Sequence, residues 1–339
     1  MIDFRYKTAG VAHPLAFIVA AVLAILALLS GCSTIPPSVL EREPSSLLEA
    51  APQLYLRFSG TALRDIARGF DKAELGALAA ALGEGGGANA VPSTTMDTTI
   101  LDGFLARTKT FGAGLRGLGT SSPAMEAVFI GDFPVMSVRL ALAFDGNWRR
   151  TGDGGYQSTK YPLFIREPEP GLIHAASTRA PPSVPGTALP GYSQPIDLAG
   201  KAAYPASFAS LAVSDIFIAA NDPSIFFAGS LPLEASSIPI GSIIITGRRL
   251  YDYPSSSSPL PEPRYLLDIL IQMKDEATAK AYKPVVRFIW TAAIGKFFGG
   301  NLNANASPLG LEKDVYVVRN IETDAAALRT MIRSSLVRK

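Results

Sequence analysis

Val138-Arg139-Leu140-Ala141-Leu142 and Val286-Arg287-Phe288-Ile289-Trp290 show the same order of side-chain types: an apolar residue, an arginine and three more apolar residues. A proline precedes each run, Pro134 in one case and Pro284 in the other. Before each proline stand two strand-like segments joined by a loop of Ser and Pro: residues 109–117 and 125–132 around Ser121, Ser122 and Pro123, then 239–250 and 265–273 around 253–263. Proline suits the first turn of a helix, so each unit reads as a hairpin followed by a helix. The chain is therefore expected to be α+β, with antiparallel sheets, helices packed on one face, and a diverged internal duplication.

Outward from these units, residues 54–59 alternate Leu54, Leu56 and Phe58 against Tyr55 and Arg57, the pattern of a half-buried strand. Thr61 is placed to cap the next helix, whose apolar spacing runs through Leu63, Ile66 and Phe70 and on to Leu82, ending at Gly83 to Gly87. A short helix over 97–106 and a meander through 148–151, 161–167 and 172–177 complete a first half, 52–177. Residues 178–200 are rich in Pro, Gly and Ser and read as a linker. The second half, 201–339, adds a strand at 215–220, helix over 275–298, a strand at 315–319 and a last helix over 323–337.

The 339 residues are 48% hydrophobic and 18% charged, a balance that suits a packed body and excludes a disordered chain. Net charge is +2, with no basic footprint for nucleic acid. Cys32 is the only cysteine, which excludes an internal disulfide and a cysteine-based zinc site.

That cysteine ends a patterned leader. Arg5 and Lys7 give a basic start, and residues 15–29 form an uncharged run of 15 residues made only of Ala, Leu, Ile, Val and Phe. The run is short for a spanning helix, which needs ~20 apolar residues, and has signal-peptide length. It closes with Leu29-Ser30-Gly31-Cys32, an aliphatic residue, two small residues and cysteine. This resembles the lipobox of bacterial lipoproteins. The resemblance covers only the leader, and implies that residues 1–31 are removed, that the Cys32 thiol carries diacylglycerol, and that the new amine is acylated. Two or three acyl chains suffice for a stable anchor. Residues 32–51, with Pro36, Pro37 and Pro44, then read as an extended lipidated tether that holds the body off the bilayer. Ser33 rather than Asp follows the cysteine, which by resemblance to enteric lipoproteins favours the outer membrane.

Residues suited to catalysis are sparse. Beyond the leader one histidine remains, His174, within an apolar strand and read as structural. Gly229-Ser230 lacks a nucleophile-elbow pattern. Gly83 to Gly87 lacks the Lys-Ser or Lys-Thr of a phosphate cradle and reads as a helix stop. Asp145-Gly146-Asn147 and Asp153-Gly154 are turn residues without the remaining acids of a calcium loop. Glu167 and Glu169 flank Pro168 and are expected in solvent. No cofactor is implied, and no enzyme constellation stands out.

The residue cluster that invites a ligand is 285–298. Val285, Phe288, Ile289, Trp290 and Phe297 form a wide apolar surface beside Arg287, Thr291 and Lys296. Packing beneath a sheet accounts for it; contact with a membrane or a hydrophobic ligand is the second reading. The functional expectation is a membrane-anchored, non-enzymatic binding or assembly module whose partner is an envelope protein, with a binder of lipid or another hydrophobic ligand as the alternative. A surface hydrolase using carboxylates is permitted but unsupported.

Overall fold

Tyr265, Leu267, Ile269, Ile271 and Met273 recur at every second position of one strand and are all buried in one core. Period-2 alternation of this kind fixes which face each strand buries, and it builds most of the molecule. The computed structural model describes residues 35–48, 52–70, 98–117, 124–133, 139, 142–144, 146–152, 154–159, 163–177, 214–220, 239–251, 262–297 and 308–336. The leader, Cys32, the Gly83 to Gly87 stop and the 178–200 linker lie outside these residues.

The strands are β1 (Leu54–Ser59), β2 (Thr108–Arg116), β3 (Ala124–Gly131), β4 (Trp148–Arg150), β5 (Tyr156–Ser158), β6 (Phe164–Glu169), β7 (Leu172–Ala176), β8 (Ile216–Ala220), β9 (Ile240–Leu250), β10 (Arg264–Met273), β11 (Gly310–Glu312) and β12 (Val315–Asp324). They form one antiparallel sheet in the order β11-β12-β10-β9-β8-β1-β2-β3-β7-β6-β5-β4. A dominant antiparallel sheet with a few helices meets the α+β expectation in its coarse part. Separate sheets for the two halves do not occur: β1 pairs with β8, Tyr55 opposite Ala219, and the sheet is continuous across the middle. Outward from that pair the order of elements repeats. β1, β2, β3, a helical stretch around 142–144 and β7 run one way; β8, β9, β10, a long helix and β12 run the other.

β12 extends five residues beyond its expected end at Arg319. Asn320 adopts φ 56 inside the strand, and its N–H donates to the Asp268 carboxylate at 2.8 Å. Pairing with β10 shifts register at this point and then resumes, as a bulge allows. β5 and β11, three residues each, are too short to show a period.

The helices are α1 (Pro37–Leu40), α2 (Gly60–Ala67), α3 (Thr98–Arg107), α4 (Glu276–Phe297) and α5 (Ala325–Leu336). The α2 cap is Ser59 rather than Thr61: its hydroxyl accepts from Ala62 N–H at 3.2 Å. Asp275 and Asp324 take the same role for α4 and α5, each accepting a backbone N–H at 2.7 Å. Ala62 and Ile66 of α2, Val286 and Trp290 of α4, and Ala325 and Leu328 of α5 pack on the β10 and β12 face. A polar latch holds two of these helices. Asp65 of α2 accepts from Arg249 Nε and Tyr265 Oη, both at 2.8 Å, while Arg329 of α5 donates to the Asp65 carbonyl at 3.1 Å and to Glu262 at 3.0 Å.

The opposite face holds the main departure from the sequence reading. The stretch expected as a free tether is seated on the sheet over residues 35–48, as α1 followed by a 3-10 turn at Pro44–Leu47. Val39 and Leu48 are each 1% exposed and join Tyr55, Val128, Ile130 and Leu172 in one core. Space for this strap comes from glycines. A Cβ on Gly112 would clash with Pro44, and one on Gly114 would stand 2.8 Å from Leu48 Cδ1. Hydrogen bonds then fix it: the Glu43 carboxylate accepts from Tyr55 Oη at 2.6 Å and Arg57 Nε at 3.0 Å, and Arg42 pairs with Glu169. Burial, with Glu43 adding to it, pushes the Tyr55 phenol well above its usual range.

Candidate functional site

α4 is divided lengthwise. Ala279, Val286, Ile289 and Trp290 are buried toward the sheet, and Tyr316 Oη donates to the Ala279 carbonyl within the core. Lys280, Lys283, Pro284, Arg287 and Thr291 face outward with Phe288, which is 62% exposed. The residues expected to form one apolar contact surface are therefore split. Ile289 and Trp290 belong to the core, Val285 is half-buried at the boundary, Phe288 stands in solvent, and the Phe297 side chain lies outside the described residues. An α-helix places positions three and four apart on one face, so Val286, Ile289 and Trp290 turn inward together while Phe288 cannot follow.

On the outer side, Lys280, Lys283, Pro284, Arg287, Phe288 and Thr291 line an open groove of about 620 Å³. Pro284, inside the helix, has no N–H to give the Lys280 carbonyl. Lys280 pairs with Glu276 at 2.8 Å; among the described residues no carboxylate pairs with Lys283 or Arg287. The groove thus offers two uncompensated cations beside an exposed aromatic ring and a proline. Such a surface suits an anionic head attached to apolar matter, with ammonium and guanidinium groups meeting the charge and Phe288 meeting the apolar part.

The other candidate residues do not converge. His174 is 4% exposed, and its Nε2 has no hydrogen-bond partner among the described residues. Burial, assisted by Arg166, holds its imidazole down to about 4, so it is neutral at pH 7. Glu167 is not in solvent as expected. Its side chain is 4% exposed and lies 3.3 Å from Arg139 Nε, and burial raises its carboxyl against the opposing pull of Arg139. Glu169 turns the other way to Arg42, so the two carboxylates share no cleft. The cationic groove was not singled out in the sequence. Lys280, Lys283 and Arg287 were visible there at helical spacing, but only the packing direction of Trp290 tells which face they occupy.

Among the described residues, no helix is long and apolar enough to cross a membrane. No family model matches the chain, and no curated protein does. Solved structures do. The chain is similar to TP0453 in crystal form III, with a TM-score of 0.53 at 12% identity over 87% of this chain and 99% of that one. Crystal form I gives 0.52 at 13% identity, covering 87% and 98%, and crystal form IV gives 0.51 at 13%, covering 86% and 96%. The likeness spans nearly the whole of TP0453, and at this identity it carries the fold: the chain folds like TP0453.

Proposed function

We propose that this chain is an envelope lipoprotein, anchored through lipid on Cys32, whose body is a non-enzymatic binding or assembly module. One observation carries the reading: a basic start, an apolar run and Leu29-Ser30-Gly31-Cys32 follow one another in the order a lipoprotein leader requires. The seating of residues 35–48 on the sheet fits it, because an anchor followed at once by a docked strap ties the body closely to its membrane. The outer membrane is the favoured location, from Ser33 after the cysteine. The body is further read as a diverged duplication, from the mirrored order of elements about the β1 and β8 pair. Changing Cys32→Ala should leave the precursor unprocessed and shift the protein out of lipid-dependent membrane association. Unaltered processing and fractionation would refute the anchor.

The second reading is contact with lipid or another hydrophobic ligand through α4. The exposed Phe288 beside Lys283 and Arg287 favours it in the form of an anionic amphiphile lying along the helix. The lipid-free body should bind vesicles containing phosphatidylglycerol more strongly than vesicles of phosphatidylcholine alone, and Lys283→Glu together with Arg287→Glu should abolish the difference. Equal binding to both compositions would remove this reading.

A further inference from the structure

We propose that the sheet end formed by Gly131, Asp132 and the turn at Pro170 and Gly171, with the C-terminus of α3, is the face that rests on the phospholipid bilayer. The inference rests on lipid being carried by Cys32. Three peptide steps separate Cys32 from Ile35, a reach of about 11 Å at full extension. Ile35 is already part of the packed body: a Cβ on Gly171 would stand 2.6 Å from Ile35 Cγ2. The acyl chains therefore attach within about 11 Å of this residue, and the bilayer surface is held equally near.

The strap runs away from that point. Ile35 lies against Gly171, Pro44 against Gly112 and Leu48 against Gly114. In register, Gly112 stands opposite Val128 and Gly114 opposite Glu126, successively farther from Gly131 along β3. The strap thus descends the sheet from its Gly131 end toward Ala124, the other end of β3. Seven residue steps separate Ala124 from Gly131, about 23 Å of strand, twice the reach of the anchor. One end of β2, β3 and β7 is consequently held against the membrane and the other is held off it.

The chemistry of the near end suits a bilayer surface. Arg107, at the close of α3, and Lys109, at the start of β2, are both exposed there. Arg107 Nη1 donates to the Asp132 carbonyl at 3.3 Å, which holds the guanidinium at the rim. The opposing charges are Asp132, Glu169, which is already paired with Arg42, and Glu41, exposed beside Arg42 in the strap. Basic residues close to an anionic surface are drawn toward it. The α4 groove is a different contact, because β10, against which α4 packs, lies six strand positions from β7, about 29 Å across the sheet.

The test uses the full chain, purified with its lipid and reconstituted into vesicles of phosphatidylcholine and phosphatidylglycerol carrying a nitroxide at the headgroup. Lipidation consumes the one native thiol, so an added cysteine is the only site for a bimane label. Asp132→Cys and Pro170→Cys should be quenched at least about twofold more than Ala124→Cys, as a separation of about 23 Å requires. Equal quenching at all three, or stronger quenching at Ala124→Cys or at Thr291→Cys on α4, would overturn the orientation. The unmutated protein separates this from failure of the anchor. A Cys32 thiol that accepts the label shows that no lipid is present, and the orientation falls with the anchor; a blocked Cys32 with the wrong quenching order defeats the orientation alone.

Discussion

On the β8 to β12 side, the helix face of the sheet is filled by large strand residues, Tyr265, Met273 and Tyr316, under α2, α4 and α5, with Trp290 of α4 packed against them. On the β1 to β7 side the same face is centred on Ala113, Ala127 and Ala175, with Phe111 and Phe129 beside them. There the other face carries the added cover, a strap lying over Gly112 and Gly114. One topology is thus covered in two ways, by helices standing on bulky side chains and by a chain segment let into a strip without Cβ atoms. The size of the residues on a strand decides how closely its cover approaches, and with it which substitutions each half tolerates.

The largest expected effect tests the helix-covered half. Trp290→Ala should cost about 3–5 kcal/mol, as removal of a buried aromatic side chain does, read by chemical denaturation. A cost below about 1 kcal/mol would mean that α4 is not part of the core. The strap-covered half has its own pH signature through His174. Its imidazole titrates at about 4 in the folded chain and near 6.5 when unfolded, so the unfolded state binds the proton first as pH falls. Stability should be unaffected by this group above about pH 6.5 and should fall by about 3 kcal/mol by the time pH reaches 4. Urea titrations across that window should show the slope, and in His174→Leu the slope should flatten; an unchanged slope would assign it to other groups.

Next in size, Gly112→Val should push Pro44 off the sheet at a cost of about 1–3 kcal/mol, typical of overpacking. Limited proteolysis should then cut within residues 35–48 while the sheet survives, and continued protection of the strap would break the contrast between the halves. The smallest effect is expected at Phe288, which touches solvent rather than core. Phe288→Ser should alter stability by no more than about 0.5 kcal/mol while weakening binding of the lipid-free body to anionic vesicles. A large loss of stability would return Phe288 to the core and remove the groove from consideration.

Much of the fold was legible because strands and helices write local periods. The hairpins, α4 and the order of elements follow from spacing alone, whereas the burial of Trp290 under the sheet was one of two readings that the spacing left open. The strap was not legible for a physical reason: Val39, Leu47 and Leu48 show no period of their own, and their receiving surface is defined by glycines on a strand some sixty residues later. Pro36, Pro37 and Pro44 gave the signature of an extended spacer, whereas Pro37 and Pro44 instead open the helical turn and the 3-10 turn of the strap. Glu167 was misplaced on similar grounds, since only the register of β6 and the position of Arg139 show that it points inward. For the candidate site, the residue types were visible in sequence, but the division of α4 into a core side and a cationic side required the packing.

The two margins of the sheet bear on whether copies of the chain can join edge to edge. A long exposed strand at an edge is a template for a neighbouring chain, and natural sheets blunt it with short strands and charge. Among the described residues, the sheet tapers to strands of three residues at both margins, Trp148–Arg150 on one side and Gly310–Glu312 on the other. Arg149 and Arg150 are exposed on the first, and Glu312, paired with Arg319, stands on the second. Margins built this way offer the edge of a second copy too few backbone partners for edge-to-edge pairing to grow into a polymer.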